Sequence, residues 1–138
     1  MNNNVQGVLS ANDGMSAGVI AALQSQNLAG KVEVTGQDAS IAGLQDILLG
    51  TQSETVFKPI TQEAGVAARV AVGLDKGFTK IIAKTATSKA NNGAGNVPTL
   101  LLTATSVTKA NISLVVKDGG ATWAQICTGI PTSDCPSH

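Results

Sequence analysis

The stretch Val5-Gln6-Gly7-Val8-Leu9-Ser10-Ala11-Asn12-Asp13-Gly14-Met15 decides the fold. Val5 to Ser10 is short and apolar enough to read as a strand. Asn12-Asp13-Gly14 is a turn whose polar side chains can cap a helix. From Met15 to Gln26 the apolar residues recur at helical spacing, with Met15, Val19, Ile20 and Leu23 on one face. Working outward, the same rhythm returns twice. Lys31 to Thr35 alternates as a second strand, Gly36-Gln37-Asp38 turns, and Ser40 to Leu49 forms a helix burying Ile41, Leu44, Ile47 and Leu48 before Gly50 stops it. Ser53 to Lys58 is a third strand ended by Pro59, and Thr61 to Lys76 a third helix burying Val66, Val70 and Leu74. Strand, turn and helix repeated at this spacing predict an α/β protein. Its βαβ units form a parallel sheet with right-handed crossovers.

Beyond Gly77 the rhythm weakens. Residues 79–96 contain Ala-Asn-Asn-Gly-Ala-Gly-Asn and read as a long loop, with Lys80 to Ala83 as an optional strand. Val97 to Ala104 is apolar enough for a buried strand or connector, and Thr108 to Lys117 for a short helix.

Composition narrows the function. The 138 residues carry 9 basic and 9 acidic side chains, a net charge of zero that excludes a strongly basic nucleic-acid binder. Aromatics amount to 2%, namely Phe57, Phe78 and Trp123, so stacked single-stranded nucleic acid finds almost no platform. Two cysteines and one histidine are too few for a Cys/His zinc site. Met1-Asn2-Asn3-Asn4 has neither a basic n-region nor an apolar h-region, so no signal peptide is expected in this chain. That leaves a cytoplasmic protein, or a mature or truncated one. Cys127 and Cys135 flank Thr-Gly-Ile-Pro-Thr-Ser-Asp, a turn-rich spacer that favours a disulfide and hence an oxidising compartment.

In an open parallel sheet, ligands bind outside the carboxyl ends of the strands. Asn12 with Asp13, Gln37 with Asp38, and Lys58 follow three successive strands. An amide donates and accepts, a carboxylate accepts and an ammonium donates, a set suited to a ligand bearing several hydroxyls. Enzyme readings find little support. No Gly-x-Ser-x-Gly elbow occurs, His138 is terminal, and neither a dinucleotide fingerprint nor a Walker A sequence is present. Asn92-Gly93-Ala94-Gly95 lacks the lysine of a phosphate loop, and Asp13 stands alone where a phospho-acceptor domain pairs two acids. No enzyme activity, cofactor or metal is expected.

Val8-Leu-Ser-Ala-Asn-Asp-Gly-Met15, Ala29-Gly-Lys-Val-Glu-Val-Thr-Gly-Gln-Asp38 and Gly50-Thr-Gln-Ser-Glu-Thr-Val-Phe-Lys-Pro-Ile60 closely resemble the D-xylose-binding branch of the periplasmic sugar-binding proteins. Val97-Pro-Thr-Leu-Leu-Leu102, Val107-Thr-Lys-Ala-Asn-Ile112 and Lys117-Asp-Gly-Gly120 are similar to that family's closing segments. The resemblance implies the type I solute-binding fold, with two α/β lobes closing on a monosaccharide. It implies a binding component that hands xylose or a related aldose to the membrane permease of an ABC importer, working in the periplasm or outside the cell. Asn12, Asp38 and Lys58 match sugar-binding positions, with Asp13 and Gln37 flanking them as further candidates; the Cys127–Cys135 pair fits some members.

A two-lobed receptor needs about 300 residues, so the match covers only the later half. The implied layout assigns 1–58 to the second lobe, 59–104, with its loop 79–96, to the other lobe, and 105–138 to a hinge crossing and a disulfide-bonded tail. Such a chain would need its N-terminal half or a homo-oligomer. A sugar-sensing module for a membrane histidine kinase, and an assembly fragment that binds no sugar, are the alternatives.

Overall fold

The computed structural model describes residues 3–136, so Met1, Asn2 and the terminal His138 lie outside the described residues. The chain divides into two compact units, residues 1–58 with 104–138, and residues 59–103.

The first unit holds the βα rhythm. Strand β1 (Gly7–Val8) leads to helix α1 (Asp13–Ser25), β2 (Glu33–Val34) to α2 (Ile41–Leu49), and β3 (Thr55–Phe57) closes the series. β1 and β2 run parallel, pairing Gly7 with Glu33 and Val8 with Val34. Beyond β2 the ladder continues through the parallel bridge Thr35–Glu54 and the bonds Ser53 N to Val34 O, Gly36 N to Glu54 O and Asp38 N to Val56 O, at 2.8, 2.8 and 3.0 Å. The carboxyl ends of β1, β2 and β3 therefore fall in a row. A strand the sequence reading did not single out, β6 (Thr105–Val107), returns antiparallel to β3. Helices α5 (Ser113–Lys117) and α6 (Trp123–Ile126) follow it.

The helices form where local chemistry permits. Asn12 caps α1, its side chain accepting from Met15 N. Ser40 caps α2 by accepting from Gly43 N, and Gly50 ends it at φ 75°, a left-handed turn that glycine adopts without strain. A capping box between Thr122 and Gln125 starts α6. Two apolar clusters hold the unit. Ile20, Leu23, Val32 and Val34 tie α1 to β2. Leu44, Ile47, Leu48, Phe57, Val107, Val115 and Ile126 join α2, β3, β6, α5 and α6. Each side chain fully buried there contributes about 1.5–3 kcal/mol.

Met15 departs from the expected face and is 58% exposed. The first turn of α1 instead buries Asp13 and Ser16, because the space beneath it is filled by polar side chains.

The second unit contains helix α3 (Ile60–Asp75), helix α4 (Ile81–Thr85) and a hairpin of β4 (Ser88–Asn91) with β5 (Asn96–Thr99). This corrects the expectation of a loop over 79–96. The Asn-Gly-rich run is the hairpin's turn: Asn92 Oδ1 accepts from Ala94 N and Gly95 N, with Gly93 at φ 90°. Lys80 to Ala83 is no strand either, since α4 begins at Ile81. Val97 to Ala104 is not buried; β5 ends at Thr99 and Leu101 is 72% exposed. Leu74, expected inside, is also exposed, and Val66 and Val70 are half-buried. Gly73 is the one buried residue among residues 59–103, because this unit has too few elements to cover its own apolar side chains.

Candidate functional site

The row of strand ends gathers the polar residues. After β3, Lys58 points its Nζ at Asp38 Oδ1, 2.7 Å away. Both side chains remain accessible, at 38% for Lys58 and 49% for Asp38. The pair leaves one carboxylate oxygen and the remaining ammonium protons available for further partners. Asn12 ends the segment after β1. Its Oδ1 is committed to Met15 N at 2.8 Å, which leaves the amide group as a donor. Gln37 contributes its backbone: its carbonyl accepts from Asp13 N at 2.9 Å, tying the strand end after β2 to the one after β1.

The backbone here is unusual. Asp38 has φ 101° and Ala39 φ 49°, two successive non-glycine residues at positive φ. Such conformations cost about 1–3 kcal/mol each and persist where surrounding bonds enforce them.

Asp13 is a correction. The sequence reading placed it among ligand-facing groups, yet it is 3% exposed and points inward. Its Oδ1 accepts from Gln52 Nε2 at 2.9 Å and from Thr55 Oγ1 at 2.8 Å, and its Oδ2 from Ser40 N at 2.8 Å. Gln52, 2% exposed, also donates to Glu54 O and accepts from Ser16 Oγ. No buried side-chain nitrogen or oxygen among the described residues lacks a partner. Gly36 and Gly43 make this possible, since a Cβ at either position would overlap the Asp13 carboxylate. Sequence reasoning missed Ser16, Gln52 and Thr55, whose partners lie up to 42 positions away.

One ionisable group near this network is shifted. Burial raises the pKa of Asp46 above its ordinary 3.8; a bond from Thr51 opposes this and the charge of Asp13 adds to it. Cys127 and Cys135 form a disulfide with Cα atoms 5.9 Å apart. It closes the tail against α2, where Gln45 Nε2 donates to Thr128 O. Trp123 packs against the larger apolar cluster. Among the described residues no three His, Cys, Asp or Glu side chains converge on a metal position, and no helix is long and apolar enough to cross a membrane.

An exposed carboxylate–ammonium pair can bond adjacent hydroxyl groups from both the donor and the acceptor side. The periplasmic binding protein domain matches residues 1–77. The D-xylose-binding periplasmic protein of Escherichia coli is 45% identical over 119 residues, which are 86% of this chain and 35% of that protein. The multiple sugar-binding periplasmic receptor ChvE of Rhizobium radiobacter is 34% identical over 84% of this chain and 33% of its own length. A carbohydrate transporter solute binding protein from Chloroflexus aurantiacus, solved in complex with D-glucose, superposes with a TM-score of 0.72 at 29% identity, covering 86% of this chain and 34% of that one. The chain thus spans about a third of the length of the curated relatives it matches.

Proposed function

The chain belongs to the periplasmic binding protein domain family, and from that premise we propose that it supplies part of the monosaccharide-binding surface of a receptor serving an ABC sugar importer. The fold is that of the periplasmic sugar-binding proteins. The observation that carries the proposal is the Asp38–Lys58 pair, held at 2.7 Å and accessible at the strand ends. In this reading Asp38 accepts from sugar hydroxyls, Lys58 donates to them, and the Asn12 amide donates to a third. Gln37 shapes the turn through its carbonyl. Binding involves no covalent chemistry.

The substrate class is an aldose, D-xylose first, since the named relatives include xylose-binding and multiple-sugar-binding proteins. The proposed partner is the permease of the importer, and the proposed location is the periplasm, where the disulfide is compatible with the redox conditions. We assign residues 1–58 to the second lobe of the receptor, 59–104 to the other, and 105–138 to a hinge crossing and the disulfide-bonded tail.

Thermal-shift titration with D-xylose, L-arabinose and D-glucose tests the reading, because a ligand that binds only the folded state raises its stability with concentration. A concentration-dependent rise in melting temperature with at least one aldose, lost in Asp38→Ala, is the expected result. No rise with any of them in the wild-type chain counts against the proposal.

A further inference from the structure

Four consecutive residues around Asp38 are each pinned through a main-chain atom. Gln37 O accepts from Asp13 N, and Asp38 N donates to Val56 O. Ala39 N donates to Thr55 Oγ1 at 3.1 Å, and Ser40 N to Asp13 Oδ2 at 2.8 Å. Thr55 Oγ1 in turn donates to Asp13 Oδ1. Three of the four attachments therefore run to Asp13, directly or through Thr55, and they grip the segment whose Asp38 and Ala39 sit at positive φ. A free turn would relax from that conformation, and Asp38 would then leave Lys58.

We propose that Asp13 is a positioning residue: its buried carboxylate, with Thr55 as relay, locks the Gln37–Ser40 turn so that Asp38 stands beside Lys58. It touches no ligand. Gln52 and Ser16 fix the carboxylate from below, and Gly36 and Gly43 give it room. The link to sugar affinity rests on the reading of Asp38 as a sugar contact.

Asp13→Asn places a donor where both carboxylate oxygens now accept, so one of the bonds to Ser40 N, Thr55 or Gln52 must break. The test measures amide hydrogen exchange and D-xylose affinity together in the full chain. In Asp13→Asn, the Ala39 and Ser40 amides are expected to exchange about tenfold faster or more, while the α5 and α6 amides keep their wild-type rates. D-xylose affinity is expected to fall about tenfold or more, because the residues that hold the contact in place no longer fix it. Adding Ala39→Gly, which tolerates the positive φ without being held, should restore part of the affinity while the amides stay unprotected, since glycine cannot remake the broken bond. A purely stabilising role for Asp13 gives no such rescue.

Unchanged exchange at Ala39 and Ser40, or uniform acceleration across the whole first unit without rescue, overturns the proposal. If Asp13→Asn fails to fold, Thr55→Val cuts the relay with little change of shape. Faster exchange at Ala39 then supports the proposal, and unchanged exchange overturns it. If the wild-type chain binds no D-xylose, the sugar reading fails, and the exchange pattern alone still decides whether Asp13 sets the turn.

Discussion

Lys58 Nζ lies 2.7 Å from Asp38 Oδ1, although the two residues follow different strands and Asp38 holds φ 101° to reach that place. Exposed ion pairs contribute about 0–1 kcal/mol, less than the backbone strain at Asp38 costs. The ion pair by itself does not offset that strain; the bonds to Asp13, Thr55 and Val56 hold the turn, and the proposed sugar contact gives the pair its use. Asp38→Gly is therefore expected to leave the melting temperature unchanged or to raise it, while D-xylose binding measured by calorimetry is lost. Lys58→Met should lower the affinity in the same assay with a change in stability below about 1 kcal/mol.

Gly43 lies within α2, where alanine normally stabilises a helix by about 1 kcal/mol relative to glycine. Here the sign should reverse. An added Cβ would overlap the Asp13 carboxylate, and overpacking of this kind costs about 1–3 kcal/mol. Urea unfolding of Gly43→Ala checks this. The penalty should shrink when Asp13→Ala is also present, as a double-mutant cycle would record.

The raised pKa of Asp46 gives a pH dependence with a definite sign. The folded chain holds this proton to higher pH than the unfolded chain, whose carboxyl titrates near 3.8. Its favourable contribution is fully present below pH 3.8 and is lost as pH rises through the folded-state value. Asp46→Asn should therefore stabilise the chain at pH 7, by less than about 1 kcal/mol given its partial exposure, and have no such effect at pH 3. Thermal melts at the two pH values decide the matter.

Reduction of the Cys127–Cys135 disulfide, which spans a sequence separation of 8, should cost about 2.5 kcal/mol by the chain-entropy relation. Melts with and without dithiothreitol measure it. Hydrogen exchange should place the loosening in the tail and α6, while β1 and α1 keep their protection.

Residues 59–103 have only Gly73 buried and leave Ile60, Val72, Phe78 and Leu101 exposed. Amides of α3 are expected to exchange well ahead of those of α2, whose Leu44, Ile47 and Leu48 are almost fully buried.

The βα rhythm was legible in the sequence because each strand, turn and helix there is written in local chemistry: Asn12 and Ser40 as caps, Gly50 as a stop, and apolar residues at helical spacing between them. The placing of Asp38 and Lys58 after successive strands, where they pair, followed from the same rhythm. Asp13 was misread because an aspartate in an Asn-Asp-Gly turn looks solvent-facing. Its partners Ser40, Gln52 and Thr55 lie 27, 39 and 42 positions away, and no local pattern announces them. Met15 was misplaced for the same reason, since the polar cluster beneath α1 takes the space that an apolar face would fill. The β4–β5 hairpin escaped notice because Ser88-Lys89-Ala90-Asn91 lacks the β-branched alternation of an amphipathic strand and is exposed throughout.

The proposed role of Asp38 and Lys58 is to contact a monosaccharide together. Isothermal titration of D-xylose into the wild-type chain, and into Asp38→Ala and Lys58→Met, tests it most directly. Saturable heat is expected with the wild-type chain, disappearing in Asp38→Ala and weakening in Lys58→Met, with all three chains equally folded by circular dichroism. Binding of D-xylose by Asp38→Ala with wild-type affinity would contradict it.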